Sequence, residues 1–329
     1  MNTGTAESLL IHYLKPIEDL LKLEGVTNIF VNRYDDVRYE MRGERLQWDG
    51  GWNNDAALIA SIHTLARSLN QPIDEYEPLL DARLPSGSRI NAVIPPVVQN
   101  ACMSIRVFPN SSITGDQLVS WNAIEADMLR YLKKSVESKK NIIISGCVDS
   151  GKTTLLKILI DYIPRHHRLV VIEDTTEIRI DPDKHIDYVQ MEAAQRKNES
   201  HVQLVGMDRL IKNSLRMSPA ALVLGEVRDP ESAAALRILM NTGIRGILAT
   251  IHANDCEDTL IRLQDLAAER APNTAYDIIA TNLRRNIDVV VNCTHIQDVG
   301  RRVAEIAEVK GSAVNLIYKY NAPKGVIVP

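Results

Sequence analysis

The sequence predicts an α/β protein with a small N-terminal α/β domain and a C-terminal domain built on a mainly parallel sheet. Three observations carry this. A chain of 329 residues is long enough for about two domains. From residue 141 onward short apolar runs alternate with helical periods, the pattern of a parallel sheet covered by helices. A polar, helix-poor stretch, Pro109-Asn110-Ser111-Ser112, separates this half from what precedes it. The domains expected are 1–108 and 123–329, with a linker over 109–122.

In the first half, residues 9–24 place Leu10, Leu14, Ile17 and Leu21 on one helical face. Thr27 to Asn32 and Val37 to Met41 alternate like strands, with turn residues Tyr34-Asp35-Asp36 between them. Residues 55–70 read as a helix, Leu84 to Arg89 as a turn, and Arg89 to Ile94 and Met103 to Val107 as strands. In the second half a helix is expected over 123–137, then strands at 141–145, 168–173, 220–224, 246–250 and 288–292.

Apolar content of 45%, charged content of 24% and net charge −4 are those of an ordinary globular protein with no electrostatic drive toward nucleic acid. Cys102, Cys147, Cys256 and Cys293 form no CxxC pair, which argues against structural zinc or a disulfide framework and for a reducing cytosol. Met1 to Ser8 lack a signal-peptide pattern, and no run of 18 apolar residues occurs.

The chemistry is announced by Gly146-Cys147-Val148-Asp149-Ser150-Gly151-Lys152-Thr153-Thr154, which fits the phosphate-loop pattern GxxxxGK[ST]. A buried-strand run, Asn141 to Ser145, precedes it, and a helix with Leu155, Leu159 and Tyr162 follows. Strand, glycine loop and helix N-terminus aim amides at one anionic group. Gly146, Ser150, Gly151, Lys152, Thr153 and Thr154 are the candidate nucleotide-binding residues. Lys152 supplies charge to the β/γ-phosphates of ATP and Thr153 a hydroxyl to Mg2+.

Three further segments end strands where ligands bind in such sheets. Leu169 to Ile172 run into Glu173-Asp174, a carboxylate for metal or water, or equally a solvated turn with Asp174 as N-cap. Ala220 to Leu224 end in Gly225-Glu226, with glycine where an Asp would be expected. Glu226 is the candidate for orienting water, or a surface partner of Arg228. Gly246 to Ile251 deliver Thr250 and His252, the latter a γ-phosphate sensor or a satisfied histidine.

These segments, in this order, resemble the secretion NTPase superfamily of type II and type IV secretion, type IV pili and conjugation. The loop, the acidic box Glu173 to Glu177, the Gly225-Glu226 strand and the histidine box Thr250 to Asn254 match its arrangement. So do Leu215-Arg216-Met217-Ser218-Pro219, Met240-Asn241-Thr242-Gly243, Leu84 to Ile90, Pro95-Pro96 and Ser104-Ile105-Arg106. Without a four-cysteine element, the chain resembles most the type IV secretion and conjugation branch and the Tad-pilus ATPases. The resemblance implies a sensor-like N-terminal domain on a RecA-like ATPase domain, ATP with Mg2+ in the hinge, and a homo-hexamer. It places the protein in the cytoplasm, peripheral at the bacterial inner membrane on a secretion, conjugation or pilus machine. It also implies that Arg89 and Arg106 reach the phosphates. Asp149 stands where the family carries glycine, which keeps an ATP-gated switch with little turnover in play. The acidic balance disfavours a DNA-translocating motor, and Glu226 beside the loop disfavours a small-molecule kinase. Gln190 to Val205 carry no familiar residues, and Arg196 and Lys197 receive no role.

Overall fold

The computed structural model describes residues 13–41, 44–84, 87–107, 113–198, 201–296, 299–311 and 313–320, with 194–198 and 201–204 described as backbone only. Parts of the expected 9–24 helix, of the Leu84–Arg89 turn and of the linker therefore lie outside the described residues, as do the side chains of Arg196 and Lys197. The chain divides into two compact units, Met1–Ser112 and Ile113–Pro329.

Within the first unit, the described part of the N-terminal helical region is a 3-10 turn at Lys15–Ile17 followed by helix α1, Glu18–Lys22. The break has a simple cause: Pro16 lacks the N–H that a continuous helix needs. Strands β1 (Val26–Arg33), β2 (Asp36–Met41) and β3 (Glu44–Trp48) precede helix α2 (Asp55–Ser68). Strands β4 (Leu79–Arg83), β5 (Arg89–Val93) and β6 (Cys102–Arg106) follow. They form one antiparallel sheet in the order β3-β2-β1-β6-β5-β4. Leu58, Ile62 and Leu65 of α2 share a buried cluster with Ile29, Ile90 and Ile105 of the sheet. The alternate residues of β4, β5 and β6 are half-buried or exposed, as expected of an antiparallel sheet with one polar face.

The second unit opens with a correction. Residues Gly115–Ser120, inside the expected linker, form helix α3. Thr114 and Gln117 make a reciprocal capping box, and Leu118 is buried with Ile124 and Met128. A polar stretch thus hides one helical turn with an apolar anchor. Helix α4 (Ala126–Glu137) leads to strand β7 (Ile142–Gly146) and helix α5 (Lys152–Ile160). Strands β8 (Leu169–Glu173) and β9 (Tyr188–Glu192), an antiparallel ribbon β10–β11 (Ala194–Asn198, His201–Val205) and helix α6 (Met207–Ser214) come next. Strand β12 (Ala221–Leu224), helix α7 (Pro230–Met240), strand β13 (Ile247–Ile251), helices α8 (Cys256–Glu269) and α9 (Tyr276–Asn286) and strands β14 (Val289–Ile296), β15 (Gly300–Lys310) and β16 (Ala313–Lys319) complete it.

The large sheet runs β16-β15-β14-β7-β13-β12-β8-β9, parallel from β14 to β9 and antiparallel at β15 and β16. Every residue of β7, β8, β12 and β13 is buried, which explains their continuous apolar runs. Ile143, Val170 and Leu222 feed the core on one face, and Ile142, Val171 and Val223 the core on the other. Because these strands are parallel, Gly146, Glu173, Gly225-Glu226 and His252 all emerge at one edge.

Candidate functional site

The loop after β7 is shaped by residues that tolerate left-handed backbone. Asp149 has φ 58° and Gly151 φ 98°, and Gly151 is the N-cap of α5 with no side-chain cap bond. The first amides of α5 are thus left for a ligand, unlike those of α8, where the Asp255 side chain accepts from Asp258 N. At Gly146 a side chain is impossible: a Cβ would lie 2.1 Å from the Cys293 carbonyl oxygen and 2.5 Å from Ser150 Oγ. Ser150 Oγ itself is buried and has no hydrogen-bond partner among the described residues. An uncapped helix start, an orphaned buried hydroxyl and a nearby ammonium together fit an anionic phosphate. Thr153 and Thr154, in the first turn of α5, are half-buried.

Lys152 is 8% exposed. Its Nζ donates to the carbonyls of Gly146 (2.9 Å) and Cys147 (2.7 Å) and lies 3.4 Å from His252 Nδ1. Burial lowers its pKa, an effect opposed chiefly by the Glu226 carboxylate. His252 Nε2 is 2.8 Å from Glu226 Oε1. An ammonium only donates, so Nδ1 must accept, and the ring proton sits on Nε2 facing Glu226. The three residues form a continuous chain from the loop lysine to the strand-tip carboxylate.

Glu173 is 3% exposed. Its Oε1 accepts from the amides of Glu177 (2.8 Å) and Ile178 (3.0 Å). Burial pushes its carboxyl up to about 7, with those two bonds opposing. The glycine at 225 has a steric reason: a Cβ there would come within 2.9 Å of Glu173 Cγ. Thr250 Oγ1 donates to the Gly225 carbonyl, tying β13 to this turn. Arg228 pairs with Asp174, so neither alternative reading, a pairing of Arg228 with Glu226 or an N-cap role for Asp174, is what the geometry displays.

Arg89 and Arg106 belong to the first unit, where they are directly opposite each other across β5 and β6 and both exposed. Arg83 is the next residue in the same row. Arg89 and Arg106 are thus like charges in register. Sequence reading missed Arg83, whose strand β4 was not foreseen. It also missed Arg301, whose Nε donates to the Asp149 carbonyl at 2.7 Å and so fixes the loop. The two residues are 152 positions apart, and no local signal links them. The Asp149 side chain is exposed, so its carboxylate need not face a bound phosphate.

A parallel sheet with its glycine loop, uncapped helix and strand-tip carboxylates makes the second unit a RecA-like P-loop NTPase domain. The chain belongs to the Type II/IV secretion system protein family, whose model matches residues 12–317. It is 34% identical over 292 residues to a probable conjugal transfer protein TrbB of Sinorhizobium fredii, covering 87% of this chain and 84% of the relative. It is 28% identical over 323 residues to the type IV secretion system protein VirB11 of Brucella suis, covering 89% and 88%. Among solved structures, the pilus retraction motor PilT with bound ADP has the same fold, with a TM-score of 0.63 at 17% identity over 95% of this chain and 83% of that one. The family is one of secretion ATPases, and these relatives put the chain on its type IV secretion and conjugation side. No helix among the described residues is long and apolar enough to cross a membrane.

Proposed function

We propose that this protein is a Mg2+-dependent ATP hydrolase that works as a homo-hexamer on the cytoplasmic face of a bacterial inner-membrane machine for type IV secretion or conjugative transfer. The observation that carries the reading is the Lys152–His252–Glu226 chain, with 3.4 Å and 2.8 Å links. It couples the group that meets phosphate to the group that orients water. Phosphoryl transfer needs positioning and charge neutralisation more than covalent chemistry. Bound magnesium supplies part of that neutralisation, with Thr153 and Glu173 as the residues to hold or support it. Gly146, Ser150, Gly151 and Thr154 shape the loop that cradles the phosphates. Lys152 trades its main-chain carbonyl partners for phosphate oxygens. His252 reports that change to Glu226, which accepts a hydrogen bond from water and holds it in line. Glu173, held by backbone amides, keeps the acidic loop in place beside them. Arg89 and Arg106 add positive charge when the domains close on ATP, and that hinge motion is what the machine harnesses.

The relatives named for conjugal transfer and type IV secretion favour those machines over a Tad-type pilus. Sequence-specific nucleic-acid binding and zinc have no part in the reading. Phosphate release by the purified protein with Mg2+ tests it, alongside light scattering with a slowly hydrolysed ATP analogue. The expected outcome is turnover and a closed hexamer, since head-to-tail contacts that close give rings. ATP binding with no turnover would instead establish an ATP-gated switch. A stable monomer with the analogue would remove the ring.

A further inference from the structure

At the opposite edge of the same sheet, where β7, β8, β12 and β13 begin, lies a half-open pocket. Its walls include Val136, Ile163 and Leu248, and its polar lining is Lys139, Lys140 and His167, with no carboxylate among the lining residues. We propose that this pocket binds a phosphate-type oxyanion between Lys139 and His167.

Two independent features support the assignment. The first is the backbone at Lys139. Helix α4 ends in a Schellman turn: Lys139 N donates to Val136 O and Lys140 N to Ser135 O, both at 2.9 Å. That turn puts Lys139 at φ 55°, the position that helices usually give to glycine. Among the described residues of this unit, the other non-glycine residues with positive φ are Asn122, Asp149 and Ser218, all short and polar. A long cationic side chain tolerated in this conformation points to a use for the side chain. Its backbone is also locked, since Gly246 N donates to Lys139 O at 2.9 Å.

The second feature is unbalanced charge. Lys140 is engaged by Glu308 at 3.2 Å and Arg168 by Asp187 at 2.5 Å. Among the described residues neither Lys139 Nζ nor the His167 ring has an acidic partner or a side-chain hydrogen bond. The exposed ring of His166 packs edge-on against His167 at 4.8 Å. Burial, then Lys139 and His166, hold the His167 pKa below its usual value. An oxyanion would meet the ammonium and favour a second N–H on the ring, giving charge-assisted bonds from two sides. The cavity itself is about 10 Å³, room for one oxygen, so a tetrahedral group would seat at its mouth with one oxygen inside and the rest facing exposed Lys139. That group is either the phosphoryl group of a free solute or a lipid headgroup.

The test follows the ring signals of His167 in the full-length, histidine-labelled protein, assigned with His167→Gln, during titration with inorganic phosphate. A saturable shift is expected. It should weaken about tenfold or more in Lys139→Gly, the loss of one charge-assisted bond. That variant relieves the left-handed backbone, so it should fold at least as well as the parent. The shift should persist in Lys152→Ala, which separates this pocket from the glycine loop. Vesicles containing phosphatidylglycerol distinguish the sources. A His167 response to phosphate alone supports a free phosphoryl ligand. A vesicle response that Lys139→Gly abolishes supports a headgroup. No response to either, an unchanged response in Lys139→Gly, or one lost in Lys152→Ala overturns the proposal.

Discussion

Glu173 and Glu226 stand at the tips of neighbouring parallel strands, β8 and β12, yet their surroundings differ. Glu173 is buried, its Oε1 committed to two backbone amides and its carboxyl pushed up to about 7. Glu226 keeps a third of its side-chain surface, 34%, and faces a histidine. One carboxylate holds protein and the other is available to water. Residue type is the same, but Glu173 ends β8 while Glu226 lies one residue past Gly225, the register equivalent of Glu173. Position along the strand, burial and partners together therefore decide the role, as environment separates acid and base in many enzymes. Gly225 is what permits both, because any side chain there would press on Glu173.

The largest effect expected bears on the anchor of Glu226. Lys152→Ala removes the loop's ammonium and should abolish ATP hydrolysis outright and weaken ATP binding. Hydrolysis at the parent rate would show that the Lys152–His252–Glu226 chain has no catalytic meaning. Arg89→Ala and Arg106→Ala ask whether the second unit alone completes the site. A cation on the transferring group is worth about 10³-fold or more in related chemistry, so each variant should slow turnover while thermal unfolding stays at the parent value. Normal rates for both would leave the comparison entirely within one unit.

Glu173→Gln sharpens the other side, measured without nucleotide or magnesium. In the parent, the unfolded carboxyl ionises near its ordinary value of 4.5 while the folded one stays protonated to about 7. Stability is therefore fully present below 4.5 and is lost as pH rises through about 7, by about 3 kcal/mol at most. The amide does not titrate and Gln Oε1 still accepts the two amides, so the variant's urea midpoint should lack the parent's Glu173-linked fall over that window, leaving only the dependence that both share through groups such as His167 and His185. Equal pH dependence in parent and variant would mean Glu173 is not the buried acid described.

Much of this was legible in the sequence. Strands β7, β8, β12 and β13 are buried on both faces and so appear as unbroken apolar runs, and GxxxxGK[ST] marks the turn between β7 and α5. What stayed hidden depends on pairing across the chain. β3 and β4 carry Glu44, Arg45, Asp81 and Arg83 among their apolar residues and are strands because of their neighbours. α3 is a single buried leucine on a capped turn. Sequence named Glu173 and Glu226 as a pair. It could not say which was buried, because that is set by amides at 177 and 178 and by the bare Gly225.

The most direct measurement of the central claim is phosphate release and equilibrium ATP binding by Glu226→Gln beside the parent, both with magnesium. Gln keeps the size and the neighbours of Glu226 but is a far weaker acceptor for water. The parent should turn over, and Glu226→Gln should bind ATP with parent affinity while releasing phosphate about 10²–10⁴-fold more slowly. Parent-like release by Glu226→Gln, or parent-like release with weakened binding, would contradict the role assigned to this carboxylate.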